Sequence, residues 1–182
     1  MRDGTVTGVV VRRQGIDTEV ATTFAVAADG ALSPFARAVG LTTRHSRSMG
    51  FAVRGYFTNT PAMGEMFNVY FPILDPSMQR ALNGYGWVFP LVEGCVNVGV
   101  GYYPTDTHTA AVNLRRTFEQ FVEWLRVKDP RLRDMRLAGR LSGAPVPCAE
   151  DLPRCAGRGT LLVGDAAGLV DPFTGEGIGG GL

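Results

Sequence analysis

Charge of either sign, cysteine and histidine are all scarce in this chain, and each shortage removes a class of function. Among 182 residues, 18 Lys and Arg stand against 17 Asp and Glu, a formal net charge of +1, so there is no electrostatic footprint for nucleic acid. The loose basic stretch Arg131, Arg133, Arg136 and Arg140 has Asp129 and Asp134 among it and reads as a solvated face. Three cysteines, Cys95, Cys148 and Cys155, are odd in number and follow no C-x-x-C spacing, which argues against a disulfide framework or a thiolate metal site and points to a reducing cytoplasm. His45 and His108 lie far apart without neighbouring ligands, so no metal site is expected. His45, set among Arg44, Ser46 and Arg47, reads as a surface loop position. No apolar run approaches the ~18 residues of a membrane span, and no leader-like apolar core follows Met1. With 45% hydrophobic and 19% charged residues, the chain should pack rather than remain disordered.

Strand-forming runs dominate the pattern. Thr5 to Arg13 and Glu19 to Ala27 open the chain, followed by Phe51 to Phe57, Glu65 to Phe71, Tyr85 to Leu91 and Cys95 to Tyr103. The last two are joined through Val92-Glu93-Gly94 and read as a hairpin. Ala110 to Arg126 carries Ala111, Leu114, Phe118, Phe121, Val122 and Leu125 at helical spacing, with Arg115, Arg116, Glu119 and Glu123 on the other face. One amphipathic helix is expected there, covering one face of a mainly antiparallel sheet and ended by Asp129-Pro130. Leu137 to Leu141 reads as a returning strand and Pro145-Val146-Pro147 as a link onward.

The chemistry is concentrated near the C-terminus. An apolar strand, Thr160 to Val163, runs into Gly164-Asp165-Ala166-Ala167-Gly168 and then Asp171-Pro172-Phe173-Thr174-Gly175-Glu176-Gly177-Ile178. Small residues after a strand let the backbone approach a ligand, and Asp supplies an acceptor for sugar-type hydroxyls. The residues after the second glycine group should open a helix, whose first N–H groups favour an electron-rich oxygen.

Gly164-Asp165-Ala166-Ala167 resembles the second flavin fingerprint of the large FAD-dependent hydroxylase and reductase superfamily. Ala28-Asp29-Gly30-Ala31-Leu32-Ser33-Pro34-Phe35-Ala36-Arg37 resembles its Asp-Gly motif, and the two occur in the family's order. The superfamily's opening strand, G-x-G-x-x-G and helix have no counterpart in the first half of the chain, so an internal piece of a longer enzyme is expected. The resemblance implies a two-domain, α+β / α/β FAD-binding fold: an incomplete nucleotide-binding domain (1–41 and 148–182) and a substrate domain (42–147) built on an antiparallel sheet with a helix over it.

Gly84-Tyr85-Gly86-Trp87-Val88-Phe89-Pro90 resembles the Y-x-W-x-F-P segment of the geranylgeranyl reductase branch. On a strand, Tyr85, Trp87 and Phe89 would share one face. Periodicity alone allows them either to fill the core beneath the helix or to wall an apolar cavity. The resemblance implies the wall, with Pro90 ending the strand beside it. Asn97-Val98-Gly99-Val100-Gly101 and Thr174 to Ile178 also look like that branch.

For the cofactor, the resemblance implies FAD, reduced by NAD(P)H or a ferredoxin-type donor. Asp165 would take ribityl hydroxyls, while Gly164, Ala166 and Ala167 would permit close approach. Pro172, Gly175, Glu176, Gly177 and Ile178 would lie beside the ring, with Glu176 either setting local charge or standing at the surface. Asp29 and Gly30 would brace the turn near the pyrophosphate, and Arg37 would meet a phosphate or cap its helix. The implied activity is reduction of carbon-carbon double bonds in prenyl chains, with a prenyl lipid as substrate and peripheral membrane association. Flavin monooxygenases, and halogenases with their W-x-W-x-I-P string, are the enzyme alternatives, and a non-catalytic lipid-binding module is a third. No acid, base or nucleophile stands out; Cys95 reads as a buried small filler.

Overall fold

Val96, Val98 and Val100 occupy every second position of one strand, all three are fully buried, and all three join one hydrophobic core, so that core lies against one face of the strand. The computed structural model describes residues 5–41, 49–76, 80–92, 94–104, 112–148 and 155–181; His45 and His108 lie outside them. The chain passes through β1 (Gly8–Arg13), β2 (Ile16–Ala21), β3 (Ala25–Ala27), α1 (Pro34–Ala38), β4 (Met49–Thr58), β5 (Asn68–Tyr70), β6 (Ile73–Asp75), β7 (Arg80–Leu82), β8 (Gly84–Pro90) and β9 (Cys95–Tyr102). It continues through α2 (Leu114–Lys128), β10 (Arg136–Pro147), β11 (Ala156–Gly157), β12 (Thr160–Leu162) and α3 (Ile178–Gly181). Two compact units result, one of residues 1–48 and 146–182, the other of residues 49–145.

The second unit is a five-stranded sheet in the order β10-β4-β9-β8-β5. β4 and β8 flank β9 antiparallel, with Gly55 opposite Val98 and Val88 opposite the same residue from the other side. Directly opposed residues share a face, so Phe57, Val88, Val96, Val98 and Val100 form one apolar layer. Helix α2 lies over it with Phe118, Phe121, Val122 and Leu125 buried, a stripe at i, i+3, i+4 and i+7. Gly86 makes close packing possible: a Cβ there would stand 2.6 Å from the Phe121 ring. The Asn113 side chain accepts the Arg116 N–H at 3.0 Å and starts the helix. At the other end Asp129 accepts from the Arg131 backbone and guanidinium and enters the turn Pro130–Leu132.

Several boundaries differ from the sequence expectation, each for a local reason. The helix begins at Leu114, where Asn113 caps it, and runs on to Lys128; Ala110 and Ala111 lie outside the described residues. The run from Glu65 to Phe71 is strand only over Asn68–Tyr70. The pair β6–β7 is too short to show a periodicity. β10 takes in Pro145 and Pro147, where the sequence pattern predicts a link; the strand lies at the sheet edge, where a missing N–H interrupts no interior ladder.

In the first unit, β1 and β2 form a hairpin closed by Gln14 and Gly15 at φ of 51° and 80°, the pair of left-handed residues that a two-residue turn requires. The run from Glu19 to Ala27 is broken at Thr22, whose hydroxyl bonds both backbone groups of Phe24. After the break, β3 joins β12 in parallel, with Ala25, Val26 and Ala27 opposite Thr160, Leu161 and Leu162. β11 completes this sheet antiparallel to β12. Ala27, Ala36, Leu162 and Ala167 make its small core.

Leu125, fully buried under the sheet, should be the most sensitive helical position. Leu125→Ala is expected to lose about 2–5 kcal/mol of stability, measured by urea unfolding, while Lys128→Ala should stay within ~0.5 kcal/mol of the parent.

Candidate functional site

Parallel pairing of β3 with β12 puts the ends of both strands at the same edge of the sheet. Asp29 and Gly30 follow the end of β3, and Gly164 and Asp165 follow the end of β12, so two motifs far apart in sequence meet there. The carboxyl ends of parallel strands are where open α/β sheets bind ligands. The register is carried past the strands by the Val163 N–H, which donates to the Ala27 carbonyl at 3.0 Å.

Each motif is shaped by local chemistry. Gly30 has φ of 83°, and the Ser33 N–H donates to its carbonyl at 3.0 Å. Buried Ser33 then caps α1 by accepting the Ala36 N–H at 2.8 Å, with Pro34 in the first turn. The Asp29 carboxylate accepts the Phe35 N–H at 3.4 Å. Arg37, exposed in the last turn of α1, is placed to favour that helix end. In the other motif Gly164 to Ala167 form a 3-10 turn that no side chain caps. Gly164 has φ of 55°, and nothing lies within 4 Å of where its Cβ would be. Asp165 is exposed. Ala167 packs into the core with Ala36, so alanines rather than larger residues draw the turn against α1.

The second glycine group folds back onto the first. A Cβ on Gly177 would stand 3.5 Å from Asp165 Oδ1 and 3.1 Å from Val170. The intervening loop is tied by Asp171, whose Oδ1 accepts from the Phe173 N–H at 3.1 Å and from the Thr174 N–H and hydroxyl at 2.7 and 2.8 Å. Those Thr174 and Phe173 donors hold the Asp171 carboxyl below its ordinary range. Backbone bonds from Gly175 N–H to the Asp171 carbonyl and from Asp171 N–H to the Glu176 carbonyl, both 2.8 Å, close the loop. Glu176 resolves into a helix cap: its carboxylate accepts the Gly179 N–H at 2.8 Å. Pro172 is exposed, and Phe173 and Ile178 are 92% and 78% exposed.

These features fit a flavin nucleotide on the chemistry of the donor set. An exposed carboxylate, an uncapped turn with open space above Gly164, and a glycine approach beside that carboxylate suit a ligand that brings hydroxyls and close backbone contact.

In the second unit, Tyr85, Trp87 and Phe89 lie on the sheet face away from α2, so they do not fill the core beneath the helix. Successive ring centroids are 6.0 and 5.9 Å apart. Phe71 extends the row beyond Tyr85 at 5.5 Å and Phe67 adjoins Phe89 at 4.7 Å; both are exposed. The Trp87 indole N–H donates to Asn97 Oδ1 at 2.8 Å, which fixes the ring across β9. There it covers Gly99, where a Cβ would overlap the indole. Burial raises the Tyr85 hydroxyl above its ordinary pKa. By the strand's alternation Pro90 falls on the opposite face with Gly86 and Val88, ending β8 beside Phe89.

Cys95 is half-buried rather than buried; at the start of β9 it stands opposite Thr58 on the uncovered face. Sequence reading missed Phe67, Phe71, Tyr56 and Arg54 on the triad's face. Arg54 and Tyr56 alternate with Gly55 in β4, and that alternation was the available signal.

No family model matches the chain. Menaquinone reductase of Mycobacterium tuberculosis is 34% identical over 170 residues, 91% of this chain and 40% of the relative. Digeranylgeranylglycerophospholipid reductase of Thermoplasma volcanium is 32% identical over 182 residues, 97% of this chain and 42% of the relative. The chain therefore spans about two-fifths of the length of these relatives. A geranylgeranyl bacteriochlorophyll reductase-like protein from Thermoplasma acidophilum superposes with a TM-score of 0.81 at 28% identity, covering 100% of this chain and 43% of that one. A flavin-dependent brominase, at 16% identity and a TM-score of 0.70 over 100% of this chain and 45% of its own, shares the fold.

Asp171 should act as a pH-sensitive tie. Because its folded pKa is lowered, its contribution to loop order is complete above the unfolded value of about 3.9. It is lost as pH falls through the lower folded value. The Thr174 amide shift in 1H–15N spectra is expected to hold constant down to about pH 4 and then move, and to sit at its low-pH position at all pH values in Asp171→Ala.

Proposed function

We propose, on the premise that this chain belongs to the geranylgeranyl reductase branch of the FAD-dependent oxidoreductases, that it serves an enzyme reducing carbon-carbon double bonds of a prenyl lipid. The observation that carries this reading is the parallel β3–β12 pair, which sets Asp29-Gly30 beside Gly164-Asp165. FAD, when bound, supplies the hydride. This chain's residues bind and orient. Asp165 accepts hydroxyl hydrogen bonds, Gly164, Ala166 and Ala167 leave room for the cofactor's chain, and Asp29 with Gly30 shapes the turn near its phosphates. Arg37, in the last turn of α1, meets a phosphate or caps its own helix. Pro172 and the backbone of Gly175, Glu176, Gly177 and Ile178 lie along the ring, with Glu176 holding the start of α3 in place.

The prenyl chain rests on Tyr85, Trp87 and Phe89, with Pro90 ending that strand. An apolar wall excludes water and holds a flexible alkene at low entropic cost, because the rings are already fixed by one another and by Asn97. The electron donor is NAD(P)H or a ferredoxin-type protein. No helix among the described residues is long and apolar enough to cross a membrane; a prenyl lipid would be met by peripheral association with the membrane surface.

A second reading, halogenation or oxygenation by a flavin monooxygenase, is favoured by the brominase's shared fold. Tyr85 and Phe89 in place of the halogenase Trp and Ile weigh against it. Anaerobic incubation of the full-length enzyme with reduced FAD and a geranylgeranyl lipid separates the two. A product carrying two added hydrogens per reduced double bond is expected, whereas turnover that requires oxygen, or an oxygenated or halogenated product, would overturn the proposal. Asp165→Ala is expected to weaken FAD binding about tenfold, the loss of one charge-assisted hydrogen bond, measured by quenching of flavin fluorescence. Prenyl binding with no flavin binding would indicate a lipid-binding module instead.

A further inference from the structure

The sheet face that carries the aromatic row is divided in charge. Its β5–β8 side is apolar, with Val69 standing opposite Trp87. β9 contributes only Asn97 and the small residues Cys95, Gly99 and Gly101 to this face. On the β4 side Arg54 stands directly opposite Gly99, the residue covered by the Trp87 indole. The neighbouring edge strand adds to it. Leu137 and Leu141 reach toward Gly55 on the helix-covered face, so alternation assigns Arg136 and Arg140 to the face of Arg54. No Asp or Glu stands on the strands of this face among the described residues.

Arg54 is half-buried and its guanidinium lies 4.8 Å from the Tyr56 ring centroid. Among the described residues no carboxylate pairs with it. The ring face offsets part of the desolvation of that cation, but its N–H donors still need acceptors. Trp87 on β8 and Arg54 on β4 are separated by two strand spacings, about 10 Å, short enough for one molecule to touch both.

We infer that this face binds an amphiphile with an anionic head: the apolar chain lies on Tyr85, Trp87 and Phe89, and Arg54, with Arg140 on the same face, takes a phosphate-type headgroup. This rests on the prenyl-lipid reading above and narrows it, because it makes Arg54 the residue that selects a phosphorylated prenyl lipid over a neutral one. A guanidinium offers paired donors that match phosphate oxygens, and an ammonium does not.

The test uses the two tryptophans of the chain. In a Trp124→Phe background the fluorescence of Trp87 reports binding to its own face. Geranylgeranyl monophosphate, geranylgeraniol and inorganic phosphate are titrated in turn. The monophosphate is expected to bind about tenfold or more tightly than the alcohol, as a charge-assisted pair implies, with a dissociation constant that rises with salt. Arg54→Gln should bring the monophosphate to the affinity of the alcohol and leave the alcohol unchanged, and Arg54→Lys should restore only part of the preference. Equal binding of monophosphate and alcohol overturns the headgroup assignment alone, as does Arg54→Gln weakening both alike. Inorganic phosphate binding as tightly as the monophosphate overturns it too, showing a site for a free anion. Binding of neither amphiphile removes the aromatic-wall reading and the headgroup assignment together.

Discussion

The two-sided character of β9 is the constraint on which the second unit depends. Its valines face α2, and burying each is worth about 1.5–3 kcal/mol. Its other face carries no large side chain, since Asn97, Gly99 and Gly101 alternate with those valines. A single strand thus anchors the core and leaves a shallow floor behind it. Slipping its pairing by one residue would exchange the faces entirely, placing valines under the indole and glycines against the helix, so the aromatic row and the hydrophobic core share one register.

The first unit rests on a different economy. Its core is three alanines and Leu162, which supply little apolar area but let a short helix and a tight turn meet closely. A ligand that engages both motifs adds stability in proportion to its free concentration. For this unit, therefore, such a ligand would bind and brace the fold at the same place.

Periodicity made the larger elements legible. The stripe of Phe118, Phe121, Val122 and Leu125 gave the helix, and β8 and β9 lie within about a residue of their expected ends. Family resemblance found the two flavin motifs. It put them in one domain but could not supply the pairing that joins them, because β3 and β12 meet in a long-range event with three residues on each side. The edge position of β10, which admits Pro145 and Pro147, is likewise a property of the sheet and not of the strand. The aromatic row was legible as a row. Periodicity alone did not give its face, since alternation says which residues share a side but not which side a helix will cover. For Arg54 the limit is related: alternation in β4 puts it on one face with Tyr56, but its meaning comes only from what stands across the sheet.

Gly99 beneath Trp87 has a consequence for how this surface can change. The two positions behave as one allotment of volume divided between adjacent strands. A larger residue at 99 is admissible only with a smaller one at 87, and Asn97 would then lose its indole partner. Variation in the depth of the wall must therefore arrive in concerted pairs, so single-step mutational routes to a reshaped surface pass through a collision or a void.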